Sequence, residues 1–334
     1  MELRYLCLCS VQSDDRIRGK MKPHISVAMA TYNGENYIIE QLESILDQSM
    51  KVDEIIIHDD ISKDNTAAVV EKYIEAKGLS DIVKFSVNEK NLGYASNFIS
   101  ALLETRGDYV FFCDQDDIWT RTRVHDMVQI MEENKDIALL GSEFEPFKCS
   151  KDAPDVPSWE LARFKDDGSV EKLSFNSENI FIGCQGCTML MTRSFLEVIK
   201  NYWYEGWAHD EYVWKLALSM DRLYFFHKTT LKRRLHSSNV TLHKEHKNEQ
   251  RIRYLTELKK SHEATKSFIS ECADVTDKEF KTKLMARHIK ATGLRLDLIE
   301  HRKILNSIRL LGYMDCYHKK RSIPVELLMA LRRK

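Results

Sequence analysis

The sequence predicts an α/β fold in which a mostly parallel sheet with flanking helices is followed by a helical C-terminal region. Between residues 25 and 142, short apolar runs of strand length alternate with segments whose apolar residues recur at helical spacing. Such alternation is typical of parallel strands joined by right-handed crossovers. From residue 244 to the end, the sequence is charged and helix-rich, with few strand signals.

The elements of the first half follow one another in a regular order. The predicted strands are residues 25–30, 54–58, 82–87, 109–113 and 137–142. The predicted helices are residues 38–46, 66–76, 95–104 and 121–133. The second strand carries Ile55, Ile56 and Ile57 in succession, a continuous apolar run that is typical of a strand buried on both faces.

Beyond residue 148 the pattern loosens into a polar, acidic connection that lasts to about residue 179. A strand is then predicted within residues 181–191, and helices at 194–203 and 207–218. The last of these helices opens with a second acidic cluster, His209-Asp-Glu211.

Composition excludes several classes of function. The 334 residues are 43% apolar and 30% charged, which is ordinary for a soluble globular protein. The net charge of −1 provides no overall field for nucleic acid, so no nucleic-acid partner is predicted. No apolar run approaches the roughly 18 residues of a membrane span. The chain has no glycine-rich dinucleotide motif and no P-loop, which disfavours dinucleotide enzymes and P-loop phosphotransferases.

The cysteines and the N-terminal segment bear on cellular location. Eight cysteines are scattered, several of them inside apolar runs, as reduced core cysteines are. Cys184 and Cys187 have the spacing of a zinc half-site, but no second pair completes it, so packing roles are predicted. The segment before Met21 is a poor secretion signal, and residues 1–22 are expected to be a dispensable leader. A cytoplasmic protein is therefore predicted.

The most informative stretch is the run from Tyr109 to Trp119, in which five apolar residues are followed at once by Asp114, Asp116 and Asp117. Side chains alternate along an extended chain, so Asp114 and Asp116 are expected on the same side. Carboxylates this close repel each other unless a cation lies between them. A hard cation takes one or two carboxylates and completes its shell with water and substrate phosphates. The run therefore predicts a metal-assisted site for a phosphorylated substrate at the carboxyl end of a strand. Taken alone, an acidic turn that caps the next helix is an equally simple interpretation.

Four features in order decide between these interpretations. They are Ala30-Thr-Tyr-Asn-Gly-Glu35, His58-Asp-Asp60, Asp114-Gln-Asp-Asp117, and His209-Asp-Glu211 followed by His236. Together they resemble the family 2 glycosyltransferases, which have the GT-A fold. Within that family they are most similar to rhamnosyltransferase-like members of bacterial surface-polysaccharide pathways. The resemblance covers a catalytic domain of about residues 23–242, which leaves residues 243–334 as a helical C-terminal region.

The resemblance implies a site for a nucleotide-sugar donor. Tyr32 would stack near the base, Asp60 would accept a hydrogen bond from a base N–H group, and Asp114 would hold the ribose or the water shell of the metal. The donor-binding residues that it implies are Thr31, Tyr32, Asn33, Glu35, Asp60, Asn91, Gly93, Asn97, Asp114 and Gln115.

The resemblance also implies the chemistry. Asp116 and His236 would hold a divalent cation, Mg²⁺ or Mn²⁺. Asp210 would be the general base of an inverting, single-displacement transfer. The implied acceptor residues are Gly186, Cys187, Trp207 and Glu211. The donor would be dTDP-rhamnose or a UDP-hexose, and the acceptor a hydroxyl of a growing cell-surface polysaccharide or of a lipid-linked oligosaccharide.

Three short stretches of the sequence depart from the family pattern. Ile61 stands where the family often has glycine, and Arg121 and Arg123 replace the common proline and lysine. The segment Lys232-Arg-Arg-Leu235 precedes His236 where rhamnosyltransferases usually have Tyr-Arg-Gln. The last change weakens the rhamnose assignment and leaves the transferase class intact. The alternatives are a catalytically inactive sugar-nucleotide-binding relative and a receiver-like signalling domain.

Two further segments have more than one interpretation. The aromatic cluster of Tyr202, Trp203, Tyr204 and Trp207 fits a hydrophobic core or a wall on which a sugar stacks. Basic residues at 319–321 and 332–334 flank an apolar stripe near the C-terminus, which fits peripheral contact with the inner face of an anionic membrane. The same stripe also fits an ordinary amphipathic helix packed on the catalytic domain, or a dimer contact.

Overall fold

The computed structural model describes residues 22–158, 160–236, 248–319 and 322–331. The strands are β1 Ile25–Thr31, β2 Glu54–Asp59, β3 Val83–Val87, β4 Tyr109–Asp114, β5 Ile118–Trp119, β6 Leu139–Lys148, β7 Val170–Lys172, β8 Leu190–Thr192 and β9 Leu223–Leu235. The helices are α1 Ile38–Leu46, α2 Thr66–Lys77, α3 Tyr94–Glu104, α4 Arg123–Glu133, α5 Arg193–Ile199, α6 His209–Ser219, α7 Asn248–Glu271, α8 Lys278–Glu300, α9 Asn306–Leu310 and α10 Ser322–Leu331. Two short 3₁₀ helices, Gly186–Thr188 and Leu311–Cys316, complete the described elements.

The strands form one mixed sheet in the order β3-β2-β1-β4-β8-β6-β9-β5, with β7 paired to β9. The β1 strand runs parallel to both β2 and β4, and β2 runs parallel to β3. The β8 strand is antiparallel to its two neighbours, and β6 runs parallel to β9. The predicted mostly parallel α/β sheet with flanking helices and a helical C-terminal region is confirmed.

The central strands are buried on both faces because helices pack on both sides of the sheet. Along β4, Val110 and Phe112 point into the core shared with α3, α5 and α6, whereas Phe111 and Cys113 point into the core shared with α1 and α4. Because side chains alternate along an extended strand, β4 contributes residues to both cores, one on each face of the sheet. This burial fixes the depth of β4 in the sheet, and with it the position of the acidic residues at its end.

The chain order of the strands reverses between β1 and β4. The β2 and β3 strands follow β1 on one side, and β4 lies on its other side. At such a switch point the loops that leave adjacent parallel strands separate and open a crevice at their carboxyl ends. The segments that follow Thr31, Asp59 and Asp114 therefore meet at one edge of the sheet.

The long helices α7 and α8 are tied to α6 by buried polar groups. Lys215 of α6 is buried and forms an ion pair with Glu211, with 2.6 Å between Nζ and Oε1. Its ammonium also donates to Ser261 of α7 and lies 3.1 Å from His262 Nδ1. Because a buried ammonium needs partners, this cluster fixes α7 against the helix that begins at His209.

Membrane-spanning character is absent from the helices of the described residues: none is both long enough and apolar enough to cross a bilayer. The predicted leader, apart from Lys22, and the stretch 237–247 between β9 and α7 lie outside the described residues.

The buried histidine His288 of α8 predicts loss of stability in acid. Burial lowers its pKa to about 4, and the charge of Lys215 acts in the same direction, against the opposing charge of Asp315. The unfolded chain takes up this proton near pH 6.5, so the stabilisation is complete above that pH and is lost as the pH falls toward 4. We expect wild type to lose about 2 kcal/mol more than His288→Gln between pH 7 and pH 5.

Urea unfolding at the two pH values measures this difference. The matched control is His301→Gln, which changes an exposed histidine just after the same helix and should behave as wild type does. Equal acid sensitivity of wild type and His288→Gln would contradict the assignment.

Candidate active site

The acidic segment at the end of β4 turns back on itself. The β4 strand ends at Asp114, so the alternation of an extended chain does not continue to Asp116. A turn brings the buried Asp117 close instead, and carboxylate oxygens of Asp114 and Asp117 lie within 4.8 Å of each other and of Cys187 Sγ. One Asp117 oxygen accepts the backbone N–H group of Arg234, and the other is buried without a hydrogen-bond partner.

This crowding makes the ionised carboxylates costly. The surrounding protein atoms, followed by the charge of Asp116, raise the pKa of Asp114 to about 7, although its side chain is exposed to solvent. The same two causes raise the pKa of Asp117 to about 8. The guanidinium of Arg233 opposes both shifts. Excess negative charge at this point is a physical reason for a cation to bind here.

The end of β9 supplies positive and hydrogen-bonding groups to the acidic turn. Arg233 is buried and forms an ion pair with Glu160 at 2.8 Å. The Nε atom of Arg234 donates to the carbonyl of Asp116 at 2.7 Å, and its Nη2 atom donates to Glu40 of α1. These two arginines lie in the segment whose departure from the family pattern was noted above. Arg234 holds the acidic turn in place through these bonds, and the positive charge of Arg233 favours the ionised forms of Asp114 and Asp117.

His236 completes this side of the site. Its Nε2 atom lies 2.7 Å from Oδ2 of Asp116, and its ring stacks on Tyr37 with 4.9 Å between centroids. The two residues that the sequence predicts as metal ligands therefore contact each other across 120 residues of chain. Carboxylate oxygens suit Mg²⁺ or Mn²⁺, and an imidazole nitrogen beside them favours the transition metal Mn²⁺ over Mg²⁺. The unpartnered oxygen of Asp117 is a further donor of the same type, so the residues present fit a divalent cation.

Gln115 joins the acidic turn to the loop after β1. Its amide oxygen accepts the N–H group of Tyr32, and its amide nitrogen donates to the Tyr32 carbonyl, both at 3.0 Å. Gly34 is required by this approach, because a Cβ atom there would lie 2.2 Å from the Gln115 amide oxygen. The predicted donor residues Tyr32 and Gln115 are thus neighbours in space.

The loops after β1 and β2 interlock through the remaining predicted residues. Buried Thr31 donates to Asp59 at 2.9 Å, and the Asn33 side chain accepts the N–H group of Lys63 at 2.8 Å. Glu35 accepts from both nitrogens of Asn65 at 2.8–2.9 Å. Each loop therefore fixes the backbone of the other.

Asp60 organises the loop that leads into α3. Its carboxylate accepts the N–H groups of Leu92 and Gly93 at 2.7 and 2.9 Å, and its carbonyl accepts from the side chain of Asn91 at 2.9 Å. Asn97 is buried and donates to the His58 carbonyl. The predicted residues Asp60, Asn91, Gly93 and Asn97 accordingly form one hydrogen-bonded group beside the first two loops.

Ile61 adopts the conformation that the family's glycine would take. Its φ is +59°, in the left-handed region that is unfavourable for β-branched residues. The turn after the Asp59-Asp60 pair therefore has a backbone conformation that favours glycine, and Ile61 adopts it at the cost of local backbone strain.

Asp210 lies in the first turn of α6, directly against the predicted acceptor segment. A Cβ atom at Gly186 would lie 2.8 Å from His209 Nε2 and 3.3 Å from Asp210 Cβ, so only glycine permits this approach. The charge of Asp210 also contributes to the raised pKa of Asp114. The predicted base therefore faces the acidic turn from the neighbouring helix.

The other predicted acceptor residues have different surroundings. Cys187 and Trp207 are buried, so in this structure neither side chain presents surface to an acceptor. Glu211 is held by its ion pair with Lys215. Trp207 belongs to the core, and Tyr202, Trp203 and Tyr204 pack against it, which corresponds to the core interpretation of the aromatic cluster.

Tyr94, to which the sequence assigned no role, opens α3 near Asp210. Its side chain is 56% exposed, and its ring meets that of His209 edge-on at 6.2 Å. Desolvation by the surrounding protein, followed by the charges of Asp210 and Glu211, raises its pKa to about 12. Tyr94 is identified by its exposed aromatic ring next to the Asp210 carboxylate. This proximity exists only in the folded chain and leaves no pattern in the sequence.

Comparison with known proteins identifies the family to which the chain belongs. A family model described as glycosyl transferase family 2 matches residues 26–199. The chain belongs to glycosyltransferase family 2. The predicted family and enzyme class are thereby confirmed.

Relatives are distant. An uncharacterized glycosyltransferase of Rickettsia typhi is 27% identical over 225 residues, which are 66% of either chain. The dTDP-rhamnosyl transferase RfbG of Shigella flexneri is 36% identical over 31% of this chain and 36% of its own length. The matches thus span less than two thirds of these relatives.

Solved structures confirm the fold of this transferase. S. aureus TarS 1-349 in complex with UDP matches with a TM-score of 0.59 at 17% identity, over 92% of this chain and 88% of that one. The Pyrobaculum calidifontis mannosyltransferase PcManGT in complex with GDP-Man and Mn²⁺ matches with a TM-score of 0.54 at 16% identity, over 93% and 86% of the two chains.

We call the contacts of Arg234 with the Asp116 carbonyl and with Glu40 the Arg234 clamp. Removing this clamp should lower both the stability of the protein and its binding of ligand. We expect Arg234→Met to cost about 2 kcal/mol in unfolding free energy, because the largely buried guanidinium has a carboxylate and a carbonyl as partners. Loosening of the acidic turn should also weaken Mn²⁺-dependent nucleotide binding about tenfold. Chemical denaturation and calorimetry measure the two effects.

Arg121→Met provides the matched control, since the Arg121 side chain is 75% exposed and its ion pair with Asp47 is long, with 3.8 Å between Nε and Oδ2. It should change either quantity little. Wild-type nucleotide affinity in Arg234→Met would show that the clamp does not position the site.

Proposed function

We propose that this family 2 enzyme is an inverting, metal-dependent glycosyltransferase that moves a sugar from a nucleotide-diphosphate sugar to a hydroxyl group. The observation that carries the proposal is the meeting of three carboxylates, His236 and Asp210 at the carboxyl edge of β1 and β4. A non-enzymatic receiver-like domain has no use for the Asp210 and His236 segments, which face the acidic turn.

The nucleotide would bind against the loops that follow β1 and β2. Tyr32 is 42% exposed and offers a ring face for the base. The donor residues would be Thr31, Tyr32, Asn33, Glu35, Asp60, Asn91, Gly93, Asn97, Asp114 and Gln115. Several of them act through one another: Asp60 already binds two backbone N–H groups, so its support of the base would come partly through the loop that it holds.

A cation would be held by Asp116 and His236 beside Asp114. When bound, it supplies positive charge that stabilises the leaving diphosphate. The chain's own contribution is orientation: Arg234 fixes the carbonyl of Asp116, and Tyr37 fixes the ring plane of His236. The Mn²⁺ in the PcManGT complex is consistent with this assignment.

Asp210 would accept the proton from the acceptor hydroxyl as that hydroxyl attacks the anomeric carbon. The Asp210 carboxylate accepts the backbone N–H group of Glu211 at 2.7 Å, which fixes its orientation at the start of α6. No covalent enzyme intermediate is involved, because attack and departure occur on opposite faces of the sugar. Gly186 would let the start of α6, with Asp210, lie close to the acceptor segment, and Tyr94 would present its exposed ring to the acceptor.

The donor would be dTDP-rhamnose or a UDP-hexose. RfbG is named a dTDP-rhamnosyl transferase, and TarS was solved with UDP and with UDP-GlcNAc. The acceptor would be a growing cell-surface polysaccharide or a lipid-linked oligosaccharide, and the enzyme would then act in the cytoplasm at the inner face of the membrane. Pocket shape decides between these donors, and a few side chains suffice to switch it.

Nucleotide release from a panel of UDP-, dTDP- and GDP-sugars tests the proposal. We expect one donor to be hydrolysed slowly with Mg²⁺ or Mn²⁺, and EDTA to abolish the reaction. Asp210→Asn should lower release about 100-fold while calorimetry shows unchanged donor binding. The matched control is Asp81→Asn, an exposed carboxylate outside the site, which should keep wild-type rates.

Each contrary result points to a different error. Wild-type release by Asp210→Asn would exclude Asp210 as the base. Donor binding without any release, in the presence of candidate acceptors, would identify a catalytically inactive relative. Failure to bind any nucleotide-sugar would overturn the function itself.

A further inference from the structure

Exposed apolar side chains are concentrated in the last described helices. Half of the sixteen exposed large apolar residues of the described chain fall within residues 304–331. Seven of them we call the apolar C-terminal face: Leu305, Ile308, Leu311, Met314, Val325, Leu328 and Leu331. Leu305 is 73% exposed and Ile308 is 66% exposed. Such a concentration marks an interaction surface, since scattered single residues would need no explanation.

The apolar C-terminal face is the outer side of elements whose inner side is already packed. Leu310, Tyr317 and Ala330 share one core cluster with Leu298 of α8. Leu305, Ile308 and Leu311 recur every three residues, and so do Val325, Leu328 and Leu331. Each set therefore forms one stripe along its segment, and the two segments meet at the shared core. Ile323 and Leu327, part of the predicted stripe, are partly buried in that core.

The C-terminal region is basic, whereas the rest of the chain carries a net negative charge. Residues 301–334 contain nine lysines and arginines and two acidic residues, whereas the whole chain has a net charge of −1. Both acidic residues are used internally: Asp315 pairs with Arg287 at 2.6 Å, and buried Glu326 pairs with Arg295 at 2.7 Å. Arg302 and Arg309 are exposed beside the first stripe.

We propose that the apolar C-terminal face docks peripherally on an anionic phospholipid bilayer. Apolar side chains would enter the boundary between headgroups and acyl chains, while the basic residues contact lipid phosphates. A second copy of the chain is a poorer occupant, because a symmetric contact would place two strongly basic segments against each other. The proposal does not depend on which sugar the enzyme transfers.

Vesicle flotation of the full chain tests the docking. Wild type should float with phosphatidylcholine vesicles that contain phosphatidylglycerol, and weakly or not at all with phosphatidylcholine alone. Leu305→Glu combined with Ile308→Glu should lower the partition coefficient at least about tenfold. Leu328→Glu tests the second stripe separately and should act in the same direction. Arg302→Gln combined with Arg309→Gln should lower binding about fivefold per charge.

Leu103→Glu is the matched control, since Leu103 is 48% exposed on α3 and lies outside the face. It should float as wild type does. Circular dichroism and lipid-free nucleotide release check that each variant is folded and that the transferase function stands separately. Absence of wild-type flotation, or equal flotation of all variants, would overturn the proposal. So would a concentration-dependent dimer that Leu305→Glu dissociates without any vesicle binding.

Discussion

The site depends on the balance of charge between the acidic turn after β4 and the last residues of β9. Three carboxylates are placed within a few residues, and the surrounding protein makes the ionised forms of Asp114 and Asp117 costly. Arg233 offsets part of this charge, and Arg234 fixes the turn through the carbonyl of Asp116. What remains is a local excess of negative charge facing outward, next to an imidazole. That excess is the physical basis for binding a cation, and through it a diphosphate.

The rest of the catalytic edge is built outward from this turn by reciprocal hydrogen bonds. Gln115 connects it to Tyr32 and therefore to the loop after β1. Glu35 connects that loop to the one after β2, and Asp60 connects the latter to the start of α3. A donor that contacts one loop thus meets a surface whose members are already oriented. This arrangement reduces the entropy that binding would otherwise remove.

The sequence was informative where function is carried by short local patterns. The strands of the first half, the acidic turn and the first turn of α6 each appear in a few consecutive residues, so periodicity and motif spacing find them. The pairing of β6 with β9 is different, because it joins segments about 85 residues apart and leaves no local signal. The antiparallel pairing of β9 with β5, which places Lys232 opposite Ile118, is equally long-range and brings Arg233, Arg234 and His236 to the acidic turn. For the same reason the burial of Cys187, the ion pair of Glu211 and the position of Tyr94 beside Asp210 could not be predicted from the sequence.

The most direct test of the account is the position of the cation in a crystal grown with Mn²⁺ and a nucleoside diphosphate, located by anomalous scattering at the manganese edge. The account predicts a peak about 2–2.5 Å from a carboxylate oxygen of Asp116 and from a ring nitrogen of His236, in contact with diphosphate oxygens. A peak elsewhere with the nucleotide bound, or a bound diphosphate that contacts neither residue, would contradict it.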